Sequence, residues 1–202
     1  MLFIKDRTLP VSLSVGFEIK LDIAGNNLYE NEEFTSKDSL HYVNIKDIKK
    51  AIKFARNSRY MADIVIIGGG EPLIWQKDKG FISLMKWLHR KFYVEVKTNG
   101  TIPLSPKMRK YIHNLKIYPR LSTYPNSYPR YIIDSFKVNK EFTFVVNSYI
   151  DLLNTYNYIR GNSLKEDSIY LVGEKVDYLK NTAIPFLEKN GVKATVVGEN
   201  IK

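Results

Sequence analysis

Every odd position from 11 to 23 is apolar: Val11, Leu13, Val15, Phe17, Ile19, Leu21 and Ile23, with Ser, Ser, Gly, Glu, Lys and Asp between them. A period of two predicts a half-buried strand, or two strands broken near Gly16. Ala24-Gly25-Asn26-Asn27 ends the run with a turn signal. Residues 26–42 carry Glu30, Glu32, Glu33 and Asp38 without a clear period, which predicts a loop with room for a short helix. From Asn44 the period changes. Ile45, Ile48, Ile52 and Ala55 make one apolar stripe behind an asparagine that can cap, so a helix is predicted through about Asn57.

The helical period returns at 79–91 (Phe81, Leu84, Met85, Leu88) and after Ser105-Pro106 (Met108, Ile112, Leu115). It is also predicted over Ile150–Arg160 and Leu179–Lys189. Between these stretches lie short apolar runs: 63–67, Tyr93–Val96, Ile117–Leu121, Glu141–Val146, Ile169–Val172 and Val192–Val197. Strands alternating with helices of this length specify βαβ units and a mostly parallel sheet. The count is about six such strands, fewer than a full eight-unit barrel, and no linker or repeat divides the chain, so a single domain over 1–202 is expected.

The run at the centre of this pattern is Asp63-Ile64-Val65-Ile66-Ile67-Gly68-Gly69-Gly70-Glu71-Pro72-Leu73. Its unbroken apolar stretch reads as a strand buried on both faces, stopped by three glycines. Ligands of parallel sheets sit at the carboxyl ends of the strands, where glycine lets a ligand approach the backbone and tolerates φ > 0. Glu71, fixed by Pro72, is placed to accept hydrogen bonds from a ligand amine. A plain strand-to-helix turn has the same composition, and the glycine run lacks the features of a P-loop or a dinucleotide fold.

Composition alters this picture in two ways. The net charge of +10 on 202 residues favours an anionic partner, with a merely solubilising Lys-rich surface as the alternative. There is no cysteine, which excludes disulfides, thiolate zinc sites, thiol catalysis and cysteine-held iron–sulfur clusters. No apolar run approaches the roughly 18–20 residues of a membrane span, and the start lacks a signal-peptide layout, so a cytoplasmic protein with no membrane partner is expected.

Two strand-end motifs, Gly68-Gly69-Gly70-Glu71-Pro72-Leu73 and Lys97-Thr98-Asn99-Gly100-Thr101, stand one βα unit apart. The pair resembles the radical S-adenosylmethionine (SAM) superfamily, and within it the 7-carboxy-7-deazaguanine synthases, with their Thr-Gly-Gly-Glu-Pro-Leu and Glu-Thr-Asn-Gly-Thr motifs. Leu21–Leu28 is similar to the family's Arg-Leu-Ala-Gly-Cys-Asn-Leu. Phe142–Ser148 resembles a Lys-Phe-Val-Val-Asp-Ser segment, and Ile169–Val172 a late Val-Tyr-Leu strand. The resemblance implies a partial (β/α)6-type barrel with outer helices, and a SAM cradle at Gly68, Gly69, Gly70, Glu71, Thr98 and Asn99.

Two departures change what the resemblance implies. The family's three cluster cysteines fall on Asn26, Glu30 and Glu33. These are hard oxygen ligands, unsuited to a cluster that soft thiolates hold. Without a cluster no electron reaches SAM, so radical catalysis is not expected; SAM is the one cofactor the resemblance leaves open. Glu30 and Glu33 share a helical spacing that oxygen-seeking cations accept, but a solvated acidic loop is the simpler reading, and no metal is expected. Lys97 stands where the family has Glu, reversing a charge beside the pocket.

The stretch from Lys116 to Tyr131 interleaves Lys116, Arg120 and Arg130 with Tyr118, Tyr124, Tyr128 and Tyr131. Rings that stack on bases beside cations that meet phosphates are the ingredients of nucleic-acid binding; a protein-binding surface or a rigid scaffold loop uses the same residues. The basic run Lys46, Lys49, Lys50, Lys53 and Arg56 reads as the solvated face of its helix. His41, His89 and His113 are far apart in sequence and read as surface residues. The expectation is a non-catalytic binding protein whose partner is nucleic acid or a protein of the nucleic-acid machinery, with a homodimer also open. The alternative is a SAM-, purine- or pterin-binding protein without radical chemistry.

Overall fold

The alternating run is two strands, β1 (Thr8–Val15) and β2 (Ile19–Ile23), paired antiparallel with Val11 opposite Ile23 and Val15 opposite Ile19. The computed structural model describes residues 8–15, 19–23, 41–57, 63–121, 129–164 and 168–197. Asn26, Glu30, Glu33, Tyr124 and Tyr128 lie outside the described residues. The fold is mixed α/β with mostly parallel strand pairing, and the chain divides into two compact units interleaved in sequence. The first comprises 1–98, 104–115 and 137–139; the second comprises 99–103, 116–136 and 140–202.

In the first unit β1 also pairs antiparallel with β3 (His41–Asn44), Leu9 facing Val43. Part of the predicted 26–42 loop is therefore strand; four residues are too few to show a period, and the edge of β1 supplies the missing hydrogen bonds. Strand β2 pairs parallel with β4 (Ile64–Gly69), and β4 with β5 (Tyr93–Thr98), in the registers Ile23–Gly69 and Ile67–Val96. Val65, Ile66 and Ile67 are all buried, as the unbroken apolar run requires.

Helix α1 (Ile45–Arg56) starts where the Asn44 side chain accepts from Lys46 N at 2.8 Å, and it buries Ile45, Ile48 and Ile52. Helix α2 (Lys79–His89) is capped by Asp78, which accepts from Phe81 N at 2.7 Å, and buries Phe81, Leu84, Met85, Trp87 and Leu88. Burying each of these larger side chains contributes about 1.5–3 kcal/mol.

Helix α3 is a single turn, Pro106–Arg109, capped by Ser105. The longer helix predicted to carry Ile112 and Leu115 does not form. His113 N donates to Val94 O at 2.9 Å, and Leu115 lies in β6 (Asn114–Ile117), three residues earlier than the predicted strand at 117–121. Leu115 is three residues from Ile112, a helical spacing, and two from Ile117, a strand spacing, and the strand outweighs a weak helical period. Helix α4 (Arg130–Ser135) buries Ile132 and Ile133.

In the second unit β7 (Asn139–Val145), β8 (Ile169–Val172) and β9 (Thr195–Val196) run parallel, Phe144 opposite Leu171 and Leu171 opposite Val196. Helix α5 (Tyr149–Asn162) connects β7 to β8. Ser148 Oγ accepts from Asp151 N at 3.1 Å and donates to Asp151 Oδ2 at 2.8 Å, a reciprocal cap. Phe142, Phe144 and Tyr158 pack together, with Tyr158 edge-on to Phe144 at 5.5 Å. The helix predicted over 179–189 is a helical run from α6 (Val176–Tyr178) through a wide turn at Leu179–Ala183 to α7 (Ile184–Lys189). Pro185 has no N–H to donate, and the extra residue in the turn accommodates it.

Candidate functional site

The carboxyl end of β4 places its glycines as expected: Gly68 is buried, Gly69 is exposed with φ of 89°, and Gly70 is half-buried. The chain then turns inward. Glu71 is only 5% exposed, and its Oε1 accepts from Leu73 N at 3.1 Å. That bond caps a short 3-10 helix, Pro72–Lys77, which Pro72 opens. Thr98, the last residue of β5, is 3% exposed, with its Oγ1 at 2.9 Å from Glu71 Oε1 and 2.8 Å from Oε2. One hydroxyl hydrogen is thus shared between both carboxylate oxygens.

The geometry ties the ends of two neighbouring strands through a charge-assisted hydrogen bond. Gln76 extends the link, accepting from Ser105 N at 2.8 Å. Beneath the clamp, Asn114 Nδ2 donates to Glu95 Oε2 at 3.3 Å, both side chains being buried. Of the six residues of the expected cradle, five lie in the first unit and two of them, Glu71 and Thr98, bond directly. Asn99 belongs to the second unit. Its Oδ1 accepts from Thr101 N at 3.0 Å and from Thr101 Oγ1 at 2.7 Å, and Gly100 takes a positive φ of 79°. That loop organises itself through its own side chains.

An iron–sulfur cluster does not fit this chain: no thiolate exists anywhere in it to bind the iron. Among the described residues no group of three His, Cys, Asp or Glu side chains could hold a metal ion.

The basic and aromatic stretch is divided among different surroundings in the second unit. Lys116 and Tyr118 are half-buried. Arg120 is exposed and lines a cleft of about 180 Å³ with Pro119, Phe144, Asp151 and Thr155. Arg130 faces Asp134 on its own helix at 3.8 Å.

Two features of the first unit were not legible as sites in the sequence. The rings of His89 and His113 stack at 4.6 Å, with Tyr93 stacked on His113 at 5.0 Å and Tyr111 edge-on to His89. His113 Nδ1 accepts from Val94 N at 2.9 Å, so the bond requires a neutral ring. Burial and the neighbouring His89 hold the His113 pKa below its ordinary value. His89 and His113, expected as separate surface residues, are instead half-buried and packed on each other, while the side chain of His41 lies outside the description. The chain folds residues 24 apart in sequence into one stack, and no spacing signals that.

The second feature is the outer face of α1. Phe54 is 81% exposed there, among the exposed Lys46, Lys50 and Lys53. The helical wheel carried the signal, since Phe54 lies about 200° from Ile52 at 100° per residue. At the border with α2, Lys49 Nζ lies 5.8 Å from the Trp87 ring centroid and Arg56 5.1 Å from that of Phe92.

No family model matches the chain. Over 108 residues, 54% of its length, the chain is 27% identical to the 7-carboxy-7-deazaguanine synthase of Pyrobaculum aerophilum. The matched stretch covers 48% of that protein, so the chain spans about half the length of the curated relative it matches. The similarity is to the same enzyme that the strand-end motifs resemble. Among the described residues no helix is long and apolar enough to cross a membrane.

Proposed function

We propose that this chain is a cluster-free relative of the radical SAM enzymes that works by binding, with nucleic acid or a protein of the nucleic-acid machinery as its partner. The observation that carries this reading is the absence of cysteine from a chain that keeps both strand-end motifs. The described bonds of Glu71 support it, because they run to Thr98 and Leu73 and hold the turn together. The net charge of +10 supports an anionic partner. Two measurements test it. Anaerobic incubation with iron and sulfide is expected to leave the protein without a thiolate–iron absorbance band. Native pull-down with and without nuclease is expected to recover nucleic acid or proteins held through it. Stoichiometric cluster formation with reductive cleavage of SAM sinks the proposal.

A second reading rests on Gly69 and Gly70, whose backbone is accessible at the carboxyl end of β4. There the turn holds SAM, or a purine or pterin, without radical chemistry. Isothermal titration with SAM and guanine-like compounds decides it; the absence of heat at millimolar ligand removes this reading.

A further inference from the structure

We propose that the outer face of the first unit, a ribbon running from Phe54 across α1 to the end of α2, binds single-stranded nucleic acid, with Phe54 as a base-stacking ring and Lys46, Lys50, Lys53 and Arg90 as phosphate partners. The inference rests on the nucleic-acid reading above and assigns it a surface other than residues 116–131. It starts from charge. Residues 45–92 contain eleven Lys and Arg against four acids, seven of the chain's net ten positive charges. The four acids are engaged elsewhere or locally. Glu71 is buried in the strand-end clamp and Asp78 caps α2. Asp63 pairs with Arg56 at 3.3 Å, and Asp47 with Lys50 at 3.3 Å.

The positions on α1 order the ribbon. With Ile45, Ile48 and Ile52 buried, Phe54 lies on the opposite side of the helix, and Lys46, Lys50 and Lys53 fall between it and the edge that Lys49 shares with α2. Lys49 lies against Trp87, close enough to Arg90 that the like charge, after burial, holds its pKa below the ordinary lysine value. Two cations held together in this way repel each other, and a phosphate beside them relieves the repulsion.

Exposed rings interleaved with cations are the working parts of surfaces that track a single strand, because every base has a face to stack and every nucleotide a phosphate to neutralise. Phe54, with 81% of its surface in water beside those lysines, leaves a ring face open to a base. A lipid surface fits less well. An interfacial helix inserts a broad apolar face, whereas the isoleucines of α1 are buried in the protein and Phe54 is the large apolar group left outside.

The test is fluorescence anisotropy of a short labelled oligouridylate titrated with the full chain over a range of salt. Phe54→Ala is expected to weaken binding about tenfold at every salt concentration, as loss of one stacked base does. Lys50→Ala with Lys53→Ala is expected to lower the salt slope by about 1.4, since each phosphate contact on a single strand contributes about 0.7. Tyr118→Ala with Arg120→Ala, in the second unit, is expected to bind as the unaltered chain does. Wild-type affinity in the Phe54 and Lys50/Lys53 variants overturns the ribbon while leaving the nucleic-acid reading standing. Failure of the unaltered chain to bind any oligonucleotide at low salt overturns both. Binding to phosphatidylserine vesicles but not to oligonucleotide, lost in the same variants, reassigns the face to a membrane and overturns the proposal. Circular dichroism of each variant distinguishes lost binding from lost folding.

Discussion

The strand-end turn and the α1–α2 ribbon belong to the same unit and use their polar groups in opposite ways. At the turn, a carboxylate 5% exposed is held by a hydroxyl 3% exposed and by a backbone N–H. Burial makes those bonds costly to break and gives them a structural effect. On the outer face of α1, exposed lysines lie to one side of an exposed phenylalanine. Charges in water stabilise a fold little, so that face contributes little to stability and keeps its capacity for a partner. Within a motif that resembles an enzyme's ligand turn, the Glu71 side chain is thus built into the interior while Gly69 stays exposed, and the outer face of α1 leaves its lysines and Phe54 in water.

Thr98→Val offers the strongest way to break this comparison. It leaves the Glu71 carboxylate buried without its hydroxyl donor, and urea unfolding is expected to show a loss of about 1.5–3 kcal/mol, as for hydrogen bonds to charged groups. A loss under about half a kcal/mol means the clamp is not structural. Next comes Gly69→Ala. An L side chain at φ of 89° is strained, and the expected cost is about 1–2 kcal/mol; a neutral result shows that the turn relaxes freely.

Smaller still is the effect of the histidine stack. The His113 pKa is lowered by burial and by His89, so the unfolded chain binds the proton more readily than the folded one. Stability is therefore complete above the ordinary histidine value of about 6.5 and declines as pH falls through it. Unfolding measured between about pH 7.5 and 5.5 is expected to show this slope, and His113→Asn, which keeps an acceptor for Val94 N, is expected to flatten it. An unchanged slope in the variant assigns the effect to other groups. Phe54→Ala is expected to change stability least, within about 0.5 kcal/mol, as at other exposed sites. A larger loss places Phe54 in the packing and removes the ribbon's stacking ring.

Much of the fold was legible in the chain. The unbroken Ile64–Ile67 run identified a doubly buried strand, and the 3-4 spacing of Ile45, Ile48 and Ile52 identified α1 and its inner face. The misreadings fall where the local signal is short or serves two structures. Leu115 continued a helical spacing yet lies in β6, and His41–Asn44 is a strand because β1 offers it an edge. At the site, the residue types at the strand ends were readable and their mutual bond was not, since Glu71 and Thr98 are 27 residues apart in sequence.

By itself the sequence determined the α/β class, the buried faces of α1 and α2, the glycine turn after β4 and the absence of any thiolate for a cluster. Those properties depend on residue type and on periods repeated within one element, which act over a few residues. Only the tertiary structure decided that Glu71 bonds Thr98, that His113 stacks on His89, and that Lys49 of α1 lies against Trp87 of α2. Each depends on which elements pack side by side, and the burial that joins Glu71 to Thr98 is set by neighbours distant along the chain.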